Sequence, residues 1–344
     1  MAVMNLEDIA KLAGVSRSTV SRVINNDPNV SAKSRARVQA TIDEVGYRPN
    51  AAARALASHR SHAIGLVVPE DFSRYHVDNW YPLIIEATLA ATRDAGQSLM
   101  LIMEDTFASG AGDRLITQFI DSGRVDGLLV LQHSYRDMLT PRLLERDVPF
   151  VLIAESDVSR ASWVDNDNFT GGRMVGELLR RNGAGNVTAF AGTEEHVPSR
   201  RRIDGLRSIF PDAEIVFTGH SIANAESACH PVLVGDYPDA VFAVNGWIAP
   251  TLHRVSTEIG LAIPEEILLA SFDDFDPEQG ELLGLTTVVQ HVPLLANRAV
   301  NLLIDRVEGR APPGERIVLD CTMISRGSCN ELADSPVQGG ATLS

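Results

Sequence analysis

The sequence predicts an α/β protein in which a small all-α head precedes a larger core built on two parallel sheets. Three observations support this fold class. The length of 344 residues suggests two or three domains, and 44% apolar residues are enough for sizeable cores. The first sixty residues carry apolar residues at helical spacing. After residue 61, continuous apolar runs alternate with helix-like segments, which is typical of parallel sheets covered on both faces.

Three helices are predicted in the head, each with one apolar stripe. The stripes are Leu6, Ile9, Ala10 and Ala13, then Val20, Val23 and Ile24, then Val38, Ile42 and Val45. Gly14 breaks the first helix, and residues 25–28 form a turn after the second. Ser16 and Ser31 are expected N-caps of the second and third helices, because their hydroxyls can accept hydrogen bonds from free backbone N–H groups.

Nine strands and eight helices are predicted in the core. Strand-like runs lie at 63–69, 99–103, 125–131, 148–154, 187–192, 215–217, 240–245, 267–272 and 285–289. Helix candidates lie at 81–95, 112–122, 137–147, 169–182, 199–209, 222–234, 249–260 and 293–309. Nine or more strands fit two sheets better than one.

The charge is unevenly distributed between the head and the core. Residues 1–60 hold nine basic and five acidic residues, a formal charge of +4, whereas the remainder carries −19. A basic head on an acidic body indicates that only the head meets a polyanion, and the acidic body would repel DNA.

Several classes of protein are disfavoured by the sequence. It shows no apolar run of about 18 residues and no signal peptide, so we expect a cytoplasmic protein without a membrane partner. The three cysteines have unrelated spacings, which argues against a disulfide framework and a zinc finger. Nucleotide-binding, esterase and zinc-protease motifs are absent, so we expect no enzyme, no cofactor and no metal. The pair Asp273–Asp274 is only a weak signal for catalytic carboxylates.

The spacing of Ala10, Gly14 and Val20 is that of a helix-turn-helix, in which the second helix enters the major groove. Base edges would be read by Arg17, Ser18 and Arg22, since arginine can bond bidentately to guanine. Phosphate oxygens would be contacted by Ser16, Thr19, Ser21, Asn25, Ser31 and Tyr47. The alternative is a plain three-helix bundle with a solvated face.

The head resembles the LacI/GalR family of transcriptional repressors. The resemblance rests on the runs LEDIAKLAGVS from Leu6, STVSRVIN from Ser18, VSAK from Val30 and GYRPNAAARAL from Gly46. It implies a hinge helix over residues 50–61, in which Asn50, Ala53 and Leu56 meet the minor groove and Leu56 is pushed between base steps of the operator. The residues alone favour a simple linker, because so short a helix is marginal in water.

The core also resembles this family, but over fewer and shorter segments. The matching segments are Ile64–Pro69, 164–168 with Gly171 and Gly172, 271–274 and 326–328. They imply a two-lobed core like that of periplasmic sugar-binding proteins, with chain crossings near 160, 290 and 320. The implied division is a head at 1–49, lobe 1 at 62–160 plus 291–319, lobe 2 at 161–290 plus 320–330, and a disordered tail at 331–344.

The resemblance implies an effector pocket between the lobes, at the carboxyl ends of the strands. Arg202 matches the family's effector-binding arginine, Asn245 and Asp273 match pocket residues, and Trp80 and Tyr81 stand where the family often places aromatics. For Arg202 and Asp273 the alternative is an interlobe salt bridge, and for the two aromatic residues it is ordinary core.

Three departures from the family pattern bear on the ligand. Gly246 replaces a usual aspartate after Asn245, residues 183–185 replace a usual Gly-His, and the loop at 70–79 is longer than normal. The predicted function is a ligand-responsive repressor that binds a double-stranded, pseudo-palindromic operator as a homodimer. Its small-molecule effector would be a sugar or related metabolite. The alternative is a small-molecule-binding protein or cleft hydrolase without a DNA role.

Overall fold

The computed structural model describes residues 4–24, 27–47, 60–69, 78–104, 111–131, 138–274 and 276–329. The chain divides into two compact units, Met1–His62 and Ala63–Ser344. Most of the predicted hinge, including Asn50, Ala53 and Leu56, and the whole predicted tail lie outside the described residues.

The head consists of three helices, α1 (Leu6–Ala13), α2 (Arg17–Ile24) and α3 (Ala32–Val45), as predicted. Their buried core is formed by Ile9, Ala10, Ala13, Val20, Val23 and Val38. Gly14 ends α1 with a φ of 60°, a left-handed conformation that glycine adopts without steric cost. The predicted caps are present, since the hydroxyls of Ser16 and Ser31 accept the backbone N–H groups of Thr19 and Ser34.

The core alternates strands and helices along the chain. Its first half contains β1 (Ala63–Pro69), α4 (Trp80–Asp94), β2 (Ser98–Glu104), α5 (Ala111–Leu115) with a π-helical turn (Ile116–Asp121), β3 (Gly127–Leu131), α6 (Leu139–Glu145), β4 (Phe150–Ile153) and β5 (Trp163–Asn166). Its second half contains α7 (Asn168–Arg181), β6 (Val187–Ala191), α8 (Val197–Arg207), β7 (Glu214–Phe217), α9 (Ile222–Leu233), β8 (Ala240–Ala243), α10 (Ala249–Ile259), β9 (Leu268–Phe272), α11 (Pro277–Leu282), β10 (Thr286–Val289), α12 (Val292–Val307), β11 (Arg316–Leu319) and β12 (Thr322–Ile324).

These strands form two six-stranded sheets, one in each lobe. The order is β11-β5-β4-β3-β1-β2 in lobe 1 and β12-β10-β9-β8-β6-β7 in lobe 2. All recorded strand pairs are parallel except β10 with the edge strand β12. Central strands such as β3 and β8 are buried along their whole length, which explains their uninterrupted apolar sequences.

The chain crosses between the lobes three times, and the predicted position of the first crossing is wrong. Trp163–Asn166 pairs with β4 and β11 in the first sheet, so the crossing lies at about residue 167 and not near 160. The other two crossings follow Val289 and Leu319, close to the predicted positions. The short strands β5, β11 and β12 were not predicted, because three or four residues with polar members give no clear periodicity.

Helices α7 and α8 of lobe 2 approach each other unusually closely, and two glycines permit this. A Cβ atom on Gly172 would lie 2.0 Å from the carbonyl oxygen of Arg202, and one on Gly205 would lie 2.0 Å from that of Phe169. Any larger residue would separate the helices. The spacing Arg-x-x-Gly therefore has a physical reason, since Gly205 sets the position of the helix turn that carries Arg202.

No helix among the residues described by the structure is long and apolar enough to cross a membrane.

Candidate functional site

The outward face of α2 carries the residues predicted to read DNA. Arg17, Ser18 and Arg22 are exposed. Arg17 and Arg22 make only long ion contacts, at 3.8 Å to Glu7 and 4.0 Å to Asp27, with 67% and 61% of their side chains exposed. Both guanidinium groups are therefore available to an external anion or base edge.

Five of the six predicted phosphate contacts lie among the described residues. Ser16 lies at the N-terminus of α2, where its hydroxyl is within 2.8 Å and 2.9 Å of the hydroxyls of Ser18 and Thr19. Ser31 caps α3, and helix N-termini favour anions because their N–H groups are unpaired. Ser21 and Tyr47 are half-buried, with Tyr47 packed against the head core. Asn25 lies outside the described residues.

A small cavity lies between the two lobes at the carboxyl ends of their strands. Its volume is about 30 Å³. The residues that line it come from both lobes: Asp78, Trp80, Tyr81, Ile153, Ala154, Asp165, His196, Pro198, Arg202, Asn245, Asp273 and Gln290. All five residues predicted for the effector pocket are among them.

Arg202 is the centre of the polar network in this cavity. Its Nη1 donates to Asp273 Oδ2 at 3.1 Å and to the carbonyl oxygen of Val244 at 2.8 Å, and its Nε donates to Asn168 Oδ1 at 2.9 Å. The guanidinium also lies 3.7 Å from the ring centroid of Phe272. Its Nη2 has no hydrogen-bond partner among the described residues, so this donor is available to a ligand.

The Arg202–Asp273 ion pair is almost completely buried, with 3% and 6% of the side chains exposed. Both residues belong to lobe 2, so the alternative of an interlobe salt bridge is wrong. Burial raises the pKa of Asp273, and the neighbouring Arg202 opposes this shift. Asp273 has a φ of 81°, a conformation that costs energy for a non-glycine residue and occurs preferentially at functional sites.

The side-chain amide of Asn245 has an oxygen that is hydrogen-bonded within the protein and a nitrogen that is not. Its Oδ1 accepts hydrogen bonds from the backbone N–H of Gly192 and from the hydroxyl of Ser199, both at 3.1 Å. The hydroxyl of Ser199 is in turn 2.7 Å from Nδ1 of His196. The Nδ2 group of Asn245 has no partner among the described residues. Lobe 2 thus offers two unpaired donors, on Asn245 and Arg202.

The aromatic residues come from lobe 1, at the N-terminus of α4. The rings of Trp80 and Tyr81 meet edge to face, with centroids 5.4 Å apart. Tyr81 is 3% exposed and belongs to the lobe core as well as to the cavity wall. An aromatic wall suits the C–H face of a sugar ring or a flat base.

Three acidic or amide residues of the cavity wall were not among the predicted effector-binding residues. Asp165 follows from the unrecognised strand β5, and burial raises its pKa to about 6. Gln290 lies at the second lobe crossing, where it donates to Asp273 and accepts from Nδ2 of Asn166 at 2.8 Å. Asp78 precedes α4. Among them, Asp165 would have been found had β5 been recognised, since it stands at the carboxyl end of that strand.

One ion pair joins the lobes beside the cavity. Nε of Arg201 on α8 donates to Oε2 of Glu155 at 2.7 Å, and Nη2 bonds to the other carboxylate oxygen. Glu155 lies in the loop after β4 of lobe 1. His196, on the same side of the cavity as Arg201, is part of the cavity lining.

Two sequence profiles match the chain. Residues 5–50 match the profile of bacterial regulatory proteins of the lacI family, and residues 177–329 match that of periplasmic binding protein-like domains. The HTH-type transcriptional regulator CelR of Thermobifida fusca is 31% identical over 337 residues, which cover 94% of this chain and 97% of CelR. The chain belongs to the lacI family.

Solved structures of lacI-family regulators are similar over nearly the whole chain. The Lac repressor dimer bound to operator and the anti-inducer ONPF is 25% identical, with a TM-score of 0.79, over 95% of this chain and 99% of that one. A CelR–cellobiose complex is 27% identical, with a TM-score of 0.66, over 94% and 99%. The predicted family, fold class and regulatory function are confirmed, and these relatives are transcriptional regulators.

Proposed function

We propose that this lacI-family chain is a repressor whose affinity for a two-fold-symmetric operator is controlled by a neutral sugar or related polyol. The head binds DNA, the cleft between the lobes binds the effector, and two chains act together as a homodimer.

In the DNA-binding half, α2 lies in the major groove. Arg17, Ser18 and Arg22 read base edges, because they are exposed and lightly paired on one helix face. The polar residues around them contact phosphates: Ser16, Thr19, Ser21, Asn25, Ser31 and Tyr47. The hinge residues Asn50, Ala53 and Leu56 contact the minor groove at the centre of the operator.

The effector-binding half rests on one observation. Arg202 Nη2 and Asn245 Nδ2 are unpaired donors at a cavity, and the aromatic ring of Trp80 forms part of its wall. Two converging donors and an aromatic face are what a sugar ring requires. The cavity is also lined by the carboxylates of Asp78, Asp165 and Asp273. Since Asp273 already pairs with the guanidinium, a phosphorylated or carboxylated effector is disfavoured.

The same geometry disfavours a cleft hydrolase. A general base or nucleophile needs a carboxylate oxygen that can reach a substrate. The oxygens of Asp165 accept hydrogen bonds from the backbone N–H groups of Glu155 and Asn166 and from Nδ2 of Asn168. Those of Asp273 bond to Gln290 and Arg202. The oxygens of both carboxylates are therefore hydrogen-bonded to other groups of the protein. We propose that the chain is not an enzyme.

Effector control follows from the size of the cavity. A volume of about 30 Å³ holds one or two water molecules, whereas small-molecule sites measure about 300–1,000 Å³. The lobes must therefore separate to admit a sugar and close again at a different angle. A changed angle alters the separation of the two hinges in a dimer. By linkage, the sugar and the operator change each other's affinity by the same factor.

The DNA half is tested by selection of random duplexes with the purified full-length protein. We expect enrichment of a two-fold-symmetric site spanning about two major-groove turns. Arg17→Ala should relax the base preference at one symmetric position, at a cost of about 1–3 kcal/mol per contact. Arg93→Ala, an exposed arginine of the core, is the control. An unchanged preference in Arg17→Ala would contradict its role in base readout.

The effector half is tested by titrating neutral saccharides into the protein–operator complex. Asn245→Asp keeps the acceptor for Gly192 and Ser199 but removes the Nδ2 donor. We expect saccharide affinity to fall about tenfold, the equivalent of about 1.4 kcal/mol for a lost donor and an added charge. Asn301→Asp, on the exposed face of α12, is the matched control. Equal saccharide affinity in the two variants would reject the pocket.

A further inference from the structure

Six buried residues beside the effector cavity form a closed ring of hydrogen bonds, at the place where the chain makes its first two crossings between the lobes. Four of them line the cavity, whereas Asn166 and Asn168 do not. In order around the hydrogen-bond ring, the members are Arg202, Asn168, Asp165, Asn166, Gln290 and Asp273.

One arm of the ring joins lobe 1 to the guanidinium group through Asn168, the first residue of α7. Nδ2 of Asn168 donates to Asp165 Oδ1 and to the carbonyl oxygen of Asn166, both at 3.1 Å. Those two acceptors belong to β5 of lobe 1. Oδ1 of Asn168 accepts from Nε of Arg202 at 2.9 Å. A single amide therefore connects the end of a lobe 1 strand to the arginine of lobe 2.

The other arm joins the same strand to Asp273 through Gln290, at the second crossing. Nδ2 of Asn166 donates to Oε1 of Gln290 at 2.8 Å, and Nε2 of Gln290 donates to Asp273 Oδ1. The backbone N–H of Asn166 donates to Asp165 Oδ1 at 2.7 Å, which closes the ring in lobe 1. The ion pair of Arg202 with Asp273 closes it in lobe 2. Movement of β5 relative to this ion pair must therefore displace both amides or break the ring.

The direction of each hydrogen bond is fixed by groups that can only donate or only accept. Because the guanidinium group of Arg202 only donates, Asn168 must turn its oxygen toward it and its nitrogen toward the lobe 1 carboxylate. Because the carboxylate of Asp273 only accepts, Gln290 must turn its nitrogen toward it and its oxygen toward Asn166. Rotation of any amide by 180° would place like groups in contact, so the ring has one hydrogen-bonding pattern.

This fixed pattern leaves one atom of the ring without a partner. Since the nitrogen of Asn166 faces Gln290, its Oδ1 faces away, and this oxygen is buried with no hydrogen-bond partner among the residues that the structure describes. A buried acceptor without a partner destabilises the arrangement that contains it. The observed angle between the lobes therefore has both a closed ring that favours it and an unpaired oxygen that opposes it.

We propose that this ring couples the angle between the lobes to the effector site, with Asn166 and Asn168 as positioning residues. This inference rests on the proposed function, in which a saccharide accepts from Arg202 Nη2. The bound saccharide favours one orientation of the guanidinium group, and the ring transmits that orientation to β5. The unpaired oxygen of Asn166 keeps the observed angle from being favoured so strongly that a ligand could not shift it.

The test compares the full-length wild-type chain with two variants at residues that do not line the cavity. Asn168→Asp keeps the acceptor for Arg202 Nε but loses the donor for Asp165. Asn166→Ala loses the donor for Gln290 together with the unpaired oxygen. The probe is whichever of glucose, galactose, xylose and their homodisaccharides changes the operator affinity of the wild-type chain most.

Two quantities are measured for each protein. They are the saccharide affinity without DNA, by calorimetry, and the factor by which saturating saccharide changes operator affinity. Such factors are typically about 5–150-fold, and we expect either variant to reduce the factor to about twofold or less. Saccharide affinity should stay within about threefold, because the free donors of Arg202 and Asn245 remain. The double variant should show the same factor as each single variant, since a ring that is open at one place is already open.

The matched controls are Asn182→Asp and Asn182→Ala. Asn182 lies at the other end of α7, where its Nδ2 donates to the carbonyl oxygen of Leu178 at 2.9 Å, within lobe 2. Both controls should respond to saccharide like wild type. Urea denaturation establishes that each variant is folded under the assay conditions, and Asn166→Ala decides the question if Asn168→Asp does not fold.

The outcomes separate the two proposals. If the wild-type chain responds to saccharide and both ring variants respond to the same extent, the coupling role of the ring is rejected while the sugar-responsive function stands. Variants whose saccharide affinity falls as much as their response also reject it, because the residues would then act on binding. If no probe changes the operator affinity of the wild-type chain, the proposed function itself fails, and the coupling role of the ring with it.

Discussion

The two lobes have the same parallel architecture but contribute different chemistry to the cleft. Lobe 2 supplies Arg202, Asn245 and Asp273, which are held by buried hydrogen bonds within that lobe. Lobe 1 supplies the aromatic wall of Trp80 and Tyr81 and the carboxylate of Asp165. In the proposed function, lobe 2 therefore presents a rigid polar site, whereas lobe 1 provides the surface that closes over the ligand.

This difference assigns the affinity for the ligand and the regulatory response to different parts of the core. Groups locked by several partners lose little entropy on binding, which favours tight and specific recognition. In the proposed function, the lobe that closes sets the angle between the lobes, and this angle controls the state of the DNA-binding unit. Substitutions in lobe 2 should therefore act mainly on binding and stability, and those at the lobe boundary mainly on coupling.

The largest expected effect concerns the buried pair of lobe 2. Arg202→Met leaves Asp273 buried without its cation, and removal of one partner from such a pair costs about 3–5 kcal/mol. Asp273→Asn in the same chain should recover part of that loss. The lobe 1 control is Arg146→Met, because its ion pair with Asp121 is about half exposed and should contribute at most about 1 kcal/mol. Equal unfolding free energies for the two single variants, measured by urea denaturation, would remove the contrast between the lobes.

The next largest effect on stability is expected at Asp165, the buried carboxylic acid of lobe 1. Because the pKa of Asp165 is raised from 3.8 to about 6, the folded protein holds a proton that the unfolded chain has lost between these values. Stability should therefore fall as pH rises from about 4 to 6, by about 3 kcal/mol at about 1.4 kcal/mol per pKa unit. The measurement is the difference in unfolding free energy between wild type and Asp165→Asn across this range. Parallel pH curves for the two proteins would contradict this assignment.

The sequence predicts a structural feature well when the residues that determine it are adjacent in the chain. The head helices and their caps follow from spacing and from Ser16, Gly14 and Ser31, all of which act on adjacent residues. The long buried strands follow from continuous apolar runs. Arg202 and Asn245 were found through the family resemblance, and the structure places them together, while their roles stay predictions.

The unpredicted features depend on pairing over long separations. Gln290 meets Asn166, which is 124 residues away in the chain, and no local pattern indicates that contact. Asp165 was overlooked because its four-residue strand becomes visible only between β4 and β11.

A smaller effect is expected at the close contact between α7 and α8. Gly205→Ala places a Cβ atom 2.0 Å from a backbone oxygen, and overpacking of this kind costs about 1–3 kcal/mol. Arg202 lies on the same helix, so saccharide affinity should fall as well. Gly327→Ala is the matched control, because no atom lies within 4 Å of its added Cβ. If both variants unfold at the same urea concentration, the glycines do not position the arginine.

The smallest effect on stability should occur at the ion pair between the lobes. Glu155→Gln removes the charge that holds Arg201 and should change the unfolding free energy by about 0–1 kcal/mol, since the pair is partly exposed. Glu177→Gln breaks a pair of similar exposure with Arg173 inside lobe 2 and is the control. The two variants should differ in the ratio of operator affinities with and without saccharide, because of these two pairs only Glu155–Arg201 joins the lobes. An identical ratio in both would show that the Glu155–Arg201 pair follows the lobes without biasing them.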